Sequence, residues 1–213
     1  MAYTTIDDPT QYFNIKLTTG TGSSQAVTGL GFQPDWIWGK RRDSSGHHSL
    51  FDSVRGITKG LEANQTGAEF TSTDYYSSFD SDGFTIASGS SGAGNGSSQT
   101  AVQWCWKAGT SFSNDASATS VGTLDSSGST NQTAGFSIVS FTGSGSANQS
   151  VAHNLGGTPE MIIFKCRETA TDWTTFHTKL GGANKNLSLN SNSAAGTDTD
   201  FFANTNPTST VFS

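Results

Sequence analysis

Charge is scarce in this chain. Lys and Arg together number 11 and Asp and Glu 17 among 213 residues, a net of −6. A nucleic-acid surface needs clustered Lys and Arg to displace counterions, so this balance argues against one. The one basic cluster, Lys40-Arg41-Arg42, closes a predicted strand and reads as a solvated turn rather than a phosphate site. Cysteine is nearly absent. Cys105 and Cys166 are too few for a disulfide framework and read as two reduced, buried thiols. No apolar run approaches the roughly 18 residues of a membrane helix, and the N-terminus lacks a signal-peptide core, so no membrane insertion is expected. Without a signal peptide, the Asn-x-Ser/Thr triplets at Asn64, Asn131, Asn148 and Asn186 read as chance products of a Ser/Thr/Asn-rich chain.

The signatures of chemistry are missing as well. His47 and His48 are adjacent in a predicted turn, His153 and His177 stand alone, and no Cys/His spacing fits zinc. Asp80-Ser81-Asp82-Gly83 begins like a calcium loop but lacks the third acidic position and the distant Glu, so it reads as a turn. There is no Gly-x-Ser-x-Gly elbow and no P-loop. Paired carboxylates for glycoside hydrolysis have no sequence signature of their own, but the few acids here sit mostly in turn contexts. The expectation is a protein with no catalytic residue, no metal and no cofactor.

What the chain does have is Ser, Thr, Gly and Asn around islands of aromatic and β-branched residues. Aromatics reach 11% although only 32% of residues are hydrophobic. Disordered chains are rich in charge and poor in aromatics; this pattern belongs to short strands joined by many polar turns. The length admits one large domain or two smaller ones.

A repeat decides between them. QAVTGLGFQPDWIWGKRR at 25–42 returns as QSVAHNLGGTPEMIIFKCR at 149–167. Gln25, Val27, Leu30, Pro34, Lys40 and Arg42 fall on Gln149, Val151, Leu155, Pro159, Lys165 and Arg167. The echo continues with Phe51 on Phe176, Lys59 on Lys185, Leu61 on Leu187 and Asn64 on Asn190. Shared order and spacing of this kind indicate one structural unit used twice.

The coarse reading is all-β: two tandem antiparallel β-sandwich units of jelly-roll or concanavalin-like type, with no convincing amphipathic helix. Residues 1–109 form the first unit, led by an N-terminal arm at 1–10; 110–133 read as a Ser/Thr/Gly-rich linker or meandering loop; 134–213 form the second unit. Predicted strands include 12–17, 35–40, 49–52, 60–63, 84–86 and 135–141, and the Gly/Ser stretch 88–98 reads as a loop. Glu160–Lys165 is apolar on both faces, as a central strand would be. Residues 100–107 close the first unit, with Val102, Trp104 and Trp106 on one face and Ala101, Gln103 and Cys105 on the other. Val211-Phe212-Ser213 falls on Gly83-Phe84-Thr85, so the second unit is expected to lack its closing strand. A sandwich without that strand exposes an edge, to be filled by further chain or by a strand from a neighbouring subunit.

Trp36, Trp38, Trp104, Trp106 and Trp173 suit core or interface packing better than a sugar-stacking platform, given their alternating apolar strands. Asp52 and Arg55 suit a brace across a turn. Arg55, Trp36 and Trp104 are the candidate ligand or interface contacts.

The strings MAYTTIDDPTQYF, GFQPDWIWGKRR, HHSLFDSVRGITK, SFDSDGFTI and AVQWCWKAG resemble a repeat domain of virion proteins of tailed phages, many of them marine. FSIVSFTGSGS, HNLGGTPEMIIFK and NPTSTVFS look like the next copy in those proteins. The resemblance implies a concanavalin-like sandwich and a non-enzymatic virion structural protein, in the first place a tail fibre or tail-tip component for host attachment. Its alternatives are a capsid decoration protein, or a glycan-binding module or polysaccharide depolymerase. Expected partners are other virion proteins, further copies in a homo-oligomer and host surface glycans, in a virion assembled in the host cytoplasm. In that family a glycine-rich turn and a closing strand follow the VFS string, and an N-terminal anchoring segment is common; neither is found in this sequence.

Overall fold

The computed structural model describes residues 6–90 and 92–213. Residues 1–5 of the expected arm and Ser91 of the expected Gly/Ser loop lie outside the described residues. The chain divides into two compact units, Met1–Gly109 and Thr110–Ser213.

The first unit holds β1 (Phe13–Thr19), β2 (Gln25–Val27), β3 (Trp36–Arg41), β4 (His48–Asp52) and β5 (Lys59–Glu62). It continues with β6 (Phe70–Thr71), β7 (Tyr76–Asp80), β8 (Gly83–Ile86) and β9 (Thr100–Trp106). Six strands pair in the order β1-β9-β3-β4-β5-β6, and a second sheet runs β2-β8-β7. The core lies between the sheets: Ile37, Phe51 and Cys105 from the first meet Val27, Tyr76, Phe84 and Ile86 from the second, all buried. Phe51 and Tyr76 meet edge to face at 5.2 Å, and Tyr76 and Phe84 at 5.6 Å, the geometry that ring quadrupoles favour.

Local chemistry sets the turns. Asp80 pairs with Gly83 at the tip of the β7–β8 hairpin. The Asp82 carboxylate there accepts from the backbone N–H of Gly29 at 2.8 Å and of Gly31 at 2.7 Å. Those two bonds hold its pKa below the usual carboxylate range, and the expected turn is found. At Gly83 a Cβ would lie 1.8 Å from the Val27 carbonyl oxygen, so only glycine lets β8 lie against β2.

The second unit holds β10 (Thr110–Asn114), a one-turn helix α1 (Ala116–Thr119), β11 (Ser126–Asn131), β12 (Phe136–Phe141) and β13 (Val151–Ala152). Then come β14 (Met161–Phe164), β15 (Thr174–His177), β16 (Lys185–Ser188), β17 (Gly196–Thr197) and β18 (Val211–Phe212). Its sheets run β10-β11-β12, β13-β18 and β14-β15-β16-β17. Val151, Ala152, Trp173, Phe176, Ala183 and Phe212 are its buried apolar residues.

The repeat is visible in the registers. Ile37 pairs with Phe51 in the first unit and Ile162 with Phe176 in the second. Val27 pairs with Phe84, and Val151 with Phe212. The Lys59 ammonium donates to Thr71 Oγ1 across β5 and β6; Lys185 donates to Thr197 Oγ1 across β16 and β17. Asn64 Oδ1 accepts from the backbone N–H of His48 at 2.9 Å, and Asn190 Oδ1 from that of Trp173 at 2.9 Å.

Two expectations are corrected. Residues 110–133 are not a linker: β10 and β11 make a hairpin that pairs onto β12, so the second unit begins at Thr110. The strand Ser126–Asn131 has no apolar residue, yet Ser126, Ser129 and Thr130 are buried because backbone pairing and hydroxyl bonds hold it. The Ser126 hydroxyl donates to the Ala152 carbonyl and that of Thr130 to the Asn154 carbonyl. The expected central strand 160–165 is instead an edge: β14 pairs with β15 alone among the described residues, leaving Met161 51% and Phe164 38% exposed.

Candidate functional site

Two features carry chemistry beyond folding: an aromatic outer face on the first unit and an open strand lane in the second.

The aromatic face follows from strand alternation. On β9 Ala101, Gln103 and Cys105 are fully buried, so Val102, Trp104 and Trp106 point to the opposite side of the sheet. β1 and β3 flank β9 in register and extend this face in rows. Phe13, Trp106 and Trp36 form one row, Ile15, Trp104 and Trp38 the next, and Leu17, Val102 and Lys40 the third. The rings touch: Phe13 to Trp106 at 4.8 Å, Trp36 to Trp106 at 4.7 Å, Trp36 to Trp38 at 5.9 Å and Trp38 to Trp104 at 6.4 Å. Each such pair contributes about 0.5–1.5 kcal/mol beyond area burial, which makes the face stiff. At its β1 margin Ile15 is 45% and Leu17 65% exposed.

At the other margin His48 fixes Trp38. Its Nδ1 accepts from Trp38 Nε1 at 2.9 Å, which places the imidazole proton on Nε2. Burial, then the charges of Lys40 and His47, push the His48 pKa down, so the ring stays neutral and keeps accepting. The Trp38 indole is thereby fixed against its neighbours on this face.

Arg55 is elsewhere. Its guanidinium bonds the Asp52 carboxylate through Nε, Glu69 through Nη1 at 3.2 Å and the Leu50 carbonyl through Nη2 at 3.2 Å. Asp52 also accepts from the backbone N–H of Val54 and of Arg55. With its side chain 7% exposed, Arg55 braces the turn after β4 and points inward. Trp36 and Trp104 are brought together on one face; Arg55 does not join them.

The remaining titratable groups are dispersed. Among the described residues no three His, Cys, Asp or Glu come together as a metal site. No helix among them is long and apolar enough to cross a membrane. Both cysteines are free, but only Cys105 is buried; Cys166 lies part-exposed in the turn after β14, where Thr169 Oγ1 sits 3.3 Å from its sulfur. The expectation of two buried thiols fails at Cys166 because β14 is an edge.

The open lane was not among the candidate residues. In the first unit β9 lies between β1 and β3 and pairs with both. The corresponding strands of the second unit, β12 and β14, each end a sheet, and no described strand joins them. They meet only through side chains: Phe141 and Phe164 at 6.0 Å on the inner side, and Arg167 Nη1 donating to Ser140 Oγ at 3.2 Å. A cavity of about 350 Å³ is lined by Phe141 and Phe164, and by Val151 and Phe212 of the other sheet. The sequence signal was present: Phe164 stands where the repeat has Gly39 and, with Phe13-Asn14-Ile15 laid on Phe136-Ser137-Ile138, Phe141 stands where it has Thr18.

A family described as "Domain of unknown function (DUF7483)" matches residues 8–213, one match running through both units. No curated protein and no solved structure matches the chain.

Proposed function

We propose that this chain, which belongs to the DUF7483 family, is a non-enzymatic structural protein of a phage virion, serving in a tail fibre or tail tip at host attachment. The virion part rests on the resemblance of the sequence strings, and the aromatic face carries the attachment part. Four tryptophans and Phe13 held on one stiff sheet suit repeated contact with a surface rather than turnover of a substrate. Aromatic planes of this kind bind sugar rings and protein surfaces by stacking and desolvation. Several copies engaging together convert a weak single contact into a durable one, so a homo-oligomer with other virion proteins is part of the proposal. Host surface glycan is the proposed ligand, with Trp36 and Trp104 the contacts.

Intact particles carrying a label on this chain provide the test. Label at the distal tail supports the proposal; label on the head replaces it with capsid decoration; label absent from particles overturns it. Titrating the protein with host surface polysaccharide while following tryptophan emission tests the ligand. Quenching is expected, and unchanged emission at millimolar sugar removes glycan contact. Cleavage of the polysaccharide during the same titration would establish a depolymerase instead.

A further inference from the structure

We propose that a pocket at one end of the first unit's inner sheet face, lined by Arg41, His47, Ser49, Glu62 and Tyr75, binds a single neutral sugar ring. Strand registers show how the pocket arises. Across β9, β3 and β4 the inner face carries the row Cys105, Ile37 and Phe51, all fully buried. Two residues along each strand the next row is Gln103, Gly39 and Ser49, and β5 extends it with Glu62. Beyond it Arg41 pairs with Ala101. Alternation keeps these side chains on the core side of the sheet, where apolar residues are the rule. A polar row there needs polar partners, because burial without them is costly. Gln103 finds one in Thr18 Oγ1 at 3.2 Å. Tyr76, reaching over from the second sheet, does not: its Oη is buried without a hydrogen-bond partner among the described residues. A Cβ at Gly39 would lie 2.5 Å from that oxygen and 2.9 Å from Ser49 Oγ, so both hydroxyls converge on one spot at the floor of the pocket.

The walls define the ligand. Two glycines of the loop after β8 lie close against them: a Cβ at Gly92 would come 2.4 Å from the Tyr75 ring, and one at Gly94 3.4 Å from Arg41 Cγ. The cavity is about 210 Å³, below the roughly 300–1,000 Å³ of sites for larger ligands, and so admits one ring rather than a chain. Arg41 Nε already donates to Asp43 Oδ1 at 3.0 Å, so an anion would meet Glu62 with that cation partly offset. A neutral polyol meets no such conflict, because each of its hydroxyls both donates and accepts. Glu62 accepts, the Arg41 guanidinium donates, and the Ser49 hydroxyl does either. Asn64 Oδ1 is held by the His48 N–H, so Asn64 Nδ2 donates to His47 Nδ1 at 3.3 Å and leaves Nε2 as the imidazole donor. Burial, then the charges of Glu62 and Asp74, raise the Tyr75 pKa, so the phenol keeps its proton. Its ring offers an apolar wall to the C–H face of a sugar. A free amino acid matches the two charges but leaves the ring and the hydroxyls unused.

The inference stands apart from the virion proposal and from the aromatic face, because Trp36 and Trp104 lie on the opposite side of the same sheet. Either can fail alone. Free glucose, galactose and N-acetylglucosamine, each titrated into the isotope-labelled 213-residue chain, provide the test. With one of them, saturable amide shifts are expected at His47, Ser49, Glu62 and Gly92, with tryptophan emission unchanged. Glu62→Gln should weaken that binding about tenfold, from the loss of a charged acceptor. His47→Ala removes an exposed side chain, should keep the native urea midpoint and should weaken binding about threefold. Methyl glycosides separate the two sources of such a ring: undiminished binding identifies the end of a glycan, and lost binding a free sugar. Absence of shifts at tens of millimolar sugar overturns the inference, as does native affinity in both variants. So does quenched tryptophan emission with these amides unmoved, which returns the sugar to the aromatic face. Saturable shifts with free alanine and none with sugars would also overturn it, in favour of an amino-acid site.

Discussion

Phe141 and Phe164 bring their rings to 6.0 Å from strands that share no backbone pairing. In the first unit the equivalent of Phe164 is Gly39, where a Cβ would meet Tyr76 Oη at 2.5 Å and Ser49 Oγ at 2.9 Å. The same lattice position is filled by a neighbour in one unit and by its own side chain in the other. Gly39→Ala should therefore destabilise the first unit by about 1–3 kcal/mol, the cost of overpacking a dense core. Phe164→Ala removes a half-buried ring and should cost the second unit about 1–2 kcal/mol. Chemical denaturation followed by unit-resolved amide exchange reads both, and equal effects on both units would contradict this account.

Arg55 supports the first unit through charge buried on both sides. Its side chain is 7% exposed and that of Asp52 6%. Arg55→Ala leaves the Asp52 carboxylate buried without its cation, and about 3–5 kcal/mol of stability should be lost. Urea midpoints measure it; a change below about 1 kcal/mol would show that the ion pair is solvated.

His153 makes the second unit sensitive to acid. It is 2% exposed, its Nδ1 accepts from the Leu155 backbone N–H at 3.2 Å, and its Nε2 lies 3.2 Å from the Thr208 carbonyl. That pattern suits the neutral ring with its proton on Nε2. A second proton would point at the Leu155 N–H. Burial pushes the pKa below the ordinary 6.5, and the bond to Thr208 offsets this only in part. The unfolded chain thus takes up the proton first. The contribution of the neutral ring is fully present above about pH 6.5 and is lost as pH falls from there toward the depressed folded value. Exchange in β13 and β18 should accelerate over that window, and His153→Gln should flatten the dependence. An unchanged profile in the variant would assign the acid response to another group.

The two thiols should differ in reactivity. Burial pushes the Cys105 pKa up to about 12. The Thr169 hydroxyl, followed by the backbone N–H groups of Thr169 and Glu168, pulls Cys166 below the ordinary thiol range. Iodoacetamide on the native protein should label Cys166 alone, and both residues after denaturation. Native labelling at Cys105 would mean that β9 opens readily.

The all-β class and the repeat were legible because apolar and β-branched islands mark strands. Matching Phe84 with Phe212 also left no counterpart of β9 within residues 134–213, and none is found among the described residues. Ser126–Asn131 was illegible for the opposite reason: a strand of Ser, Gly, Thr and Asn shows no periodicity, and hydroxyl bonds to the 152–154 segment hold it. The direction of the tryptophans was also hidden. Alternation separated Trp104 and Trp106 from Gln103 and Cys105, but the usual preference puts aromatic rings inside. Here the side with Ala101, Gln103 and Cys105 faces the core, where Phe51, Tyr76 and Phe84 already supply the rings. Arg55 was legible as a brace and silent as a contact.

Chain order and spatial order disagree in the first unit, where the last strand, β9, lies between the first and the third. During synthesis β1 and β3 must wait, side by side and unjoined, until Trp106 clears the ribosome. At about 5–20 residues per second that delay lasts several seconds. Throughout it the nascent chain carries two unjoined strand edges, open to any extended segment nearby. A holdase that masks sheet edges would therefore serve the first unit until its last strand is made.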